Sequence, residues 1–164
     1  MNDKPTLYLE TSVVSYLTAR PSRDVVTLGH QEITRLWWRN CLFNYETFIS
    51  QVVLDEAGRG DPQAAQRRLK VLEGFPTLGV SPDVERLAAL YMKELQMSDQ
   101  EARDALHISL ASVWAMDYLL TWNCQHIASG RVRRHVREIN TREGVFMPTI
   151  CTPEELLDVN QRQR

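Results

Sequence analysis

Acidic side chains follow the apolar segments of this sequence at positions where they could share one site. The first segment ends at Leu9 and is followed at once by Glu10, Thr11 and Ser12. Thr and Ser are residue types that begin helices, and ligands of α/β folds bind in the crevice outside the carboxyl ends of parallel strands. We therefore expect Glu10 to lie in such a crevice, where the nearby helix N-terminus favours its ionised form.

Asp104 is a second acidic candidate, near the start of a predicted helix. Ser98 and Glu101 form a capping-box pattern, which predicts a helix from residue 98 to about residue 115. This helix becomes apolar around most of its circumference, so Asp104 lies at the margin of a buried face. A charged group there costs several kcal/mol unless it is paired or binds a metal. Asp104 is therefore either a site residue or the ion-pair partner of an arginine such as Arg103.

Two further strand ends carry polar groups. A predicted strand at residues 47–50 leads into a short helical stretch that contains Glu56, which can point back toward the strand end. The alternative is an ordinary solvated glutamate. A later apolar run at residues 118–122 ends with Thr121 and Asn123. Taken alone, that run is equally compatible with a strand that leaves the sheet through a turn.

The remaining pattern predicts the scaffold that positions these groups. Short β-like runs alternate with helical patterns, which is typical of a mainly parallel sheet. Helix starts are predicted at Asp61 and at Ser81, each followed by proline. Residues 23–43 predict an amphipathic helix, and residues 124–140 a basic one. The predicted strands are residues 6–9, 47–50, 77–80, 118–122 and 146–150.

The composition limits the classes of protein to consider. A chain of 164 residues with 43% apolar content suits one domain spanning residues 1–164. No segment approaches the roughly 18 apolar residues of a membrane helix. The three cysteines fit neither a disulfide framework nor a zinc site, which predicts a reducing, cytoplasmic location. A net charge of -2 argues against indiscriminate attraction to nucleic acid.

In this order, these segments resemble the PIN-domain ribonucleases, in particular the VapC-type toxins of toxin–antitoxin pairs. The resemblance implies a three-layer α/β/α domain with a five-stranded, mainly parallel sheet, whose acids converge to hold Mg²⁺ or Mn²⁺. It also implies hydrolysis of RNA that leaves 5′-phosphate and 3′-hydroxyl ends. It runs nearly end to end and rests on LYLETSVV (7–14), SQVVLDE (50–56), DALHISLA (104–111), LLTWN (119–123) and ICTPEEL (150–156).

The resemblance also assigns roles, position by position. Two of the matched positions depart from the family pattern, because Glu10 is one methylene longer than the usual aspartate and Asn123 replaces a common aspartate with a neutral amide. We therefore expect weaker metal binding rather than lost activity. The implied catalytic residues are Glu10, Glu56, Asp104 and Asn123, of which the first three hold the metal, and the polar neighbours of the metal are Thr11, Ser12 and Thr121.

Three carboxylates in one pocket would make the stability of the folded protein depend on divalent cations. Like charges about 4 Å apart repel by roughly 4 kcal/mol at a surface-like dielectric, and a bound cation relieves that repulsion. Hard divalent cations on carboxylates also activate water for phosphodiester hydrolysis. We therefore expect Mg²⁺ or Mn²⁺ to support both the activity and the stability of the fold.

Partners are predicted from two surface features. The basic residues near the C-terminal end could contact RNA phosphates, although a solvated helix face is an equally good interpretation. A face with Trp37 and Phe43 is apolar enough to be core, or an interface for a homodimer or an antitoxin. The candidate RNA-binding residues are Arg131, Arg133, Arg134 and Arg137.

Two competing interpretations come from other functional classes. A PIN-like module could bind RNA or protein without cleaving, if Glu10 and Asn123 have removed the activity. A receiver-type domain needs an aspartyl phosphate acceptor and a lysine after a later strand, which the sequence does not offer. Neither a P-loop nor a dinucleotide fingerprint occurs. Dependence of RNA cleavage on a divalent metal separates the nuclease from the binding module.

Overall fold

A five-stranded parallel sheet forms the centre of the protein. The computed structural model describes residues 3–157, so the predicted domain of residues 1–164 extends past them at both ends. The sheet has the order β3-β2-β1-β4-β5, and each neighbouring pair is parallel. The predicted α/β class and strand number are confirmed. The strands are β1 Thr6–Leu9, β2 Glu46–Ser50, β3 Thr77–Leu78, β4 Tyr118–Leu120 and β5 Thr149–Cys151.

Seven α-helices connect the strands within the described residues. Two short 3₁₀ turns, Leu42–Asn44 and Asp99–Glu101, precede β2 and the sixth helix. None of these helices has both the length and the apolar character needed to cross a membrane. The helices are α1 Thr11–Thr18, α2 Val25–Asn40, α3 Gln51–Ala57, α4 Pro62–Leu72, α5 Pro82–Glu94, α6 Ala102–Val113 and α7 Gly130–Glu143.

The strand order determines where the layers and the crevice lie. The chain runs from β1 through β2 to β3 on one side and then crosses to β4 and β5 on the other. Because such crossovers are right-handed, α1 to α4 cover one face of the sheet and α5 to α7 the other. Accordingly, α1 packs on α2, α3 and α4, and α5 packs on α6. The direction of winding reverses between β1 and β4, and ligands bind at such reversal points.

The helix starts follow the capping signals of the sequence. Asp61 and Ser81 each accept a backbone N–H of the first turn, and a proline follows each of them. Both bonds of the capping box between Ser98 and Glu101 are present. These bonds satisfy N–H groups that have no partner inside the helix, which is why the residue type alone locates the start.

The basic helix begins later than predicted, at Gly130 instead of residue 124. The chain first makes a tight turn, in which the main-chain oxygen of Asn123 accepts the N–H groups of Ile127 and Ala128. Ser129 then caps α7. β5 likewise begins three residues later than predicted, at Thr149. Turn bonds to a single asparagine leave little periodic signal, so the sequence pattern missed this boundary.

Candidate active site

Glu10 follows β1 directly and caps α1. Its Oε2 accepts the N–H of Ser12 at 2.5 Å, and its Oε1 accepts the Thr121 hydroxyl at 3.2 Å. The residue is only 4% exposed. Burial raises the pKa of Glu10 above its ordinary value, and the opposing effects of His107 and Ser12 are smaller. The predicted influence of the helix N-terminus is therefore present, but burial outweighs it.

Glu56 lies on α3, and its carboxylate faces α1 and α6. Its Oε1 accepts the Thr11 hydroxyl at 2.8 Å and lies 2.5 Å from Nε2 of His107. Burial by itself raises the pKa of Glu56, but the bonds from His107 and Thr11 outweigh burial and hold it below its ordinary value. Thr11 is the neighbour of Glu10 in the chain, so the first two predicted acids lie in adjoining positions.

Asp104 lies in the first turn of α6 and is bonded to the end of β4. Asn123 donates from Nδ2 to Oδ1 of Asp104 at 3.1 Å. Burial raises the pKa of Asp104, and His107 is the main opposing influence. No ion pair joins Asp104 to Arg103 within residues 3–157, so the structural role that the sequence left open is not found there.

The hydroxyl of Thr121 connects the predicted residues. It donates to Glu10, accepts the backbone N–H of Asn123 at 2.9 Å and lies 3.5 Å from the Ser12 hydroxyl. The charge on Glu56 raises the pKa of both Glu10 and Asp104, so Glu56 interacts with each of the other two acids. The structure thus brings together the predicted acids, Asn123 and their polar neighbours at the crevice between β1 and β4.

His107 lies at the centre of this group, although it was not among the predicted site residues. Its Nδ1 lies 2.7 Å from the Tyr8 hydroxyl, and its Nε2 contacts Glu56. Burial lowers the pKa of His107, but Glu56 and Glu10 raise it more, so the net pKa is above the ordinary value. The raised pKa favours the protonated imidazolium, whose charge offsets part of the negative charge around it. The place of His107 three residues after Asp104, on a neighbouring part of the helix surface, was the available signal.

The basic residues divide into paired and unpaired groups. Arg133 pairs with Glu155, and Arg134 pairs with Glu138. The other two predicted RNA contacts, Arg131 and Arg137, are exposed, and neither forms an ion pair in residues 3–157. Arg103 was not predicted as an RNA contact. Arg103 is exposed, and its charge lowers the pKa of Glu56, so this arginine lies near the acidic group.

The carboxylates suit a hard divalent cation in their chemistry, because Mg²⁺ and related ions prefer oxygen ligands. The positions of the carboxylates do not by themselves form a metal site. Within residues 3–157, no group of three or more His, Cys, Asp or Glu side chains is arranged to hold a metal ion. Glu10, Glu56 and Asp104 each accept hydrogen bonds from the protein. Because an ionised carboxylate has about four lone-pair sites, these bonds leave room on each acid for a cation.

Comparison with known proteins identifies the fold. No family model matches the sequence, and no curated protein matches it. Among solved structures, the chain is similar to VapC20 of Mycobacterium tuberculosis, a toxin that cleaves the sarcin–ricin loop, with a TM-score of 0.56 and 18% identity. The match covers 76% of this chain and 95% of that one. At this identity the likeness concerns the fold alone, and the protein therefore has a PIN-like α/β fold.

Proposed function

We propose that this protein is an endoribonuclease that hydrolyses RNA phosphodiester bonds with the help of Mg²⁺ or Mn²⁺. One observation carries the proposal: three carboxylates from separate elements meet at the reversal point of the sheet, where the charge on one raises the pKa of the other two. Like charges gathered at a ligand-binding crevice are costly for the fold, and such sites are commonly functional. The three carboxylates are those of Glu10, Glu56 and Asp104.

In this proposal, Glu10, Glu56 and Asp104 hold the ion, which when bound stabilises phosphoryl charge and lowers the pKa of water. Asn123 keeps Asp104 in place with one amide N–H and has a second for the attacking water. Thr121 holds the carboxylate of Glu10 in place through its hydroxyl. Cleavage leaves 5′-phosphate and 3′-hydroxyl ends. Exposed Arg103 contacts the RNA phosphates.

We further propose that the protein is the cytoplasmic toxin of a toxin–antitoxin pair and forms a homodimer. The likeness to a toxin structure supports this assignment. Of the apolar face noted in the sequence, Trp37 is fully buried and belongs to the core, whereas Phe43 is 64% exposed and is left for a partner. Light scattering of the purified chain tests the dimer, and a monomer at all concentrations contradicts it.

Cleavage of RNA by purified variants tests the activity. The wild-type protein is expected to cut RNA when Mn²⁺ is present and not in EDTA. Asp104→Asn is expected to lose most of this activity, because the neutral amide can keep the bond from Asn123 but has no negative charge to attract the cation. Asp55→Asn is the matched control, because Asp55 is an exposed acid on the same helix as Glu56, and its carboxylate accepts a bond from Gln51. An Asp55→Asn variant as inactive as Asp104→Asn contradicts the assignment.

A second candidate function is a PIN-like module that binds RNA or protein without cleaving it. The favouring observation is that each carboxylate is already hydrogen-bonded and no metal-holding group is found in the described part of the chain. This candidate predicts RNA binding that is the same with Mn²⁺ and with EDTA, and no product from any RNA. The nuclease proposal predicts instead that cleavage products form with Mn²⁺ and do not form in EDTA.

A further inference from the structure

An aromatic cluster adjoins the acidic group and has no part in the proposed hydrolysis. The imidazole of His30 is stacked on the indole of Trp122, with ring centroids 4.2 Å apart and an angle of 14° between the planes. Tyr16 packs edge-on against both rings, at 6.0 Å from His30 and 6.1 Å from Trp122. Three rings from α1, α2 and the end of β4 thus form one cluster.

Trp122 is the fixed member of the cluster. It is 7% exposed, and its Nε1 donates to the Thr34 hydroxyl at 2.7 Å. The same hydroxyl donates to the backbone oxygen of His30 at 2.6 Å. These bonds hold the indole and the helix that carries His30 in one arrangement. The imidazole therefore stacks on a rigid support.

The outer members of the cluster remain accessible. Tyr16 and His30 are each only partly buried. Within residues 3–157, neither the Tyr16 hydroxyl nor the His30 ring nitrogens have a hydrogen-bond partner. These atoms are also not among the fully buried side-chain atoms that lack a partner, so solvent can reach them. Their polar edges can therefore bond to a ligand while their ring surfaces contact it.

The aromatic cluster is connected to the acidic group through the chain and through a hydrogen bond. Trp122 stands between Thr121 and Asn123 in the chain, and its backbone N–H donates to the Ser12 hydroxyl at 2.8 Å. Tyr16 follows Ser12 by four residues on α1, a spacing that places both on one face of the helix. A nucleotide next to a phosphate held by the acids would therefore reach these rings.

We propose that Tyr16 and His30 bind an unstacked nucleobase of single-stranded RNA next to the cleaved phosphate. Stacking of bases on aromatic side chains is the usual means of holding single-stranded RNA. The inference rests on the proposed function for its choice of RNA as ligand. It adds a requirement for a base at one position, which the acidic group itself does not impose.

The test compares an intact RNA with the same RNA lacking one base. Binding of a short, fluorescently labelled single-stranded RNA is measured in the Asp104→Asn background, and one nucleotide at a time is replaced by an abasic one. At one position, base removal is expected to weaken binding about tenfold. His30→Ala is expected to weaken binding of the intact RNA about tenfold and to show no further loss at that position.

Two variants separate stacking from a structural role. His30→Phe keeps the ring and is expected to restore most of the affinity lost in His30→Ala. Phe146→Ala is the matched control, because Phe146 is a 45% exposed aromatic residue before the start of β5, whereas Trp122 follows the end of the parallel strand β4. It is expected to bind like the unmodified chain. Thermal melting of each variant checks that the fold is intact.

The outcomes distinguish the two proposals. If His30→Ala loses as much affinity on base removal as the unmodified chain, or binds intact RNA equally well, the nucleobase site is wrong. If wild-type protein never cleaves RNA with Mn²⁺ but binding depends on the base and on His30, the nuclease proposal fails and the nucleobase site stands.

Discussion

Two buried polar clusters in this protein have opposite character. One joins α5, α6 and α7 through Tyr91, Ser112 and Asn140. The Tyr91 hydroxyl donates to Oδ1 of Asn140 at 2.5 Å, and Nδ2 of Asn140 donates to Ser112 at 3.1 Å and to the backbone oxygen of Phe146 at 3.0 Å. Every member is neutral, and the bonds are complete. The other is the acidic group between β1 and β4, which contains three carboxylates and one histidine.

From this difference we expect the neutral cluster to serve the fold and the acidic group to serve a ligand. A neutral, fully bonded network stabilises and orients the helices it joins. The acidic group uses similar bonds, yet burial still raises the pKa of Glu10 and Asp104, so ionisation of these groups opposes folding. We therefore expect substitutions in the neutral cluster to lower stability, and substitutions in the acidic group to lower activity.

The largest expected effect is the loss of activity in Asp104→Asn. RNA cleavage should fall by about 10²–10³-fold, the scale of losing one electrostatic catalytic group. Because burial raises the pKa of Asp104, its charge costs stability at pH 7, and the Tm in EDTA should stay the same or rise. Cleavage assays and calorimetry measure the two effects. A clear drop in Tm would mean that Asp104 serves the fold.

The opposite pattern is expected for Asn140→Ala. This change leaves Tyr91 and a backbone oxygen without their buried partner, at a cost of about 3 kcal/mol. The Tm should fall by roughly 6–12 °C, while the cleavage rate per folded molecule stays the same. Asn44→Ala, at an exposed asparagine, is the control and should change the free energy of unfolding by less than about 0.5 kcal/mol. Equal losses in both variants would contradict the role of the neutral cluster.

Added Mn²⁺ should stabilise the protein through the acidic group only. At about 100 times its dissociation constant, a ligand that binds only the folded state contributes about 2.7 kcal/mol. We expect a higher Tm in the wild type and in Asn140→Ala, and no shift in Asp104→Asn. Melting curves with a Mn²⁺ titration measure this. A shift that survives in Asp104→Asn would place the ion elsewhere.

The smallest expected effect is a pH dependence of stability without metal. The pKa of His107 is raised in the folded state, chiefly by Glu56 against the effect of burial, so its contribution is complete below the unfolded pKa of about 6.5. The contribution is lost as the pH rises through the folded pKa. The Tm in EDTA should therefore fall as the pH rises above about 6.5, less so in His107→Gln. Asn140→Ala should keep the wild-type slope.

The sequence predicted most of the scaffold because its signals were local. β1 matches the prediction at both ends, and the caps at Asp61, Ser81 and Ser98 are where their residue types place them. The resemblance to PIN domains also pointed to the acids that now lie together. What local pattern could not provide was the contact of His107 with Tyr8 and Glu56, which depends on packing between residues far apart in the chain.

The aromatic cluster was missed for a related reason. Tyr16, His30 and Trp122 come from three separate segments, and none of them belongs to a recognisable motif. Only the folded chain brings the rings within stacking distance. The predicted start of α7 was wrong because a turn precedes the helix. That turn depends on hydrogen bonds to Asn123, which leave no periodic pattern in the sequence.

The amide of Asn123 is fixed in one orientation, because Oδ1 accepts the N–H of His126 at 2.9 Å while Nδ2 faces Asp104. A carboxylate here could keep the first bond but would turn a lone pair toward Asp104 in place of a hydrogen. The pocket would then hold four anions around one imidazole. A neutral side chain at this position thus limits the negative charge that the empty pocket must tolerate.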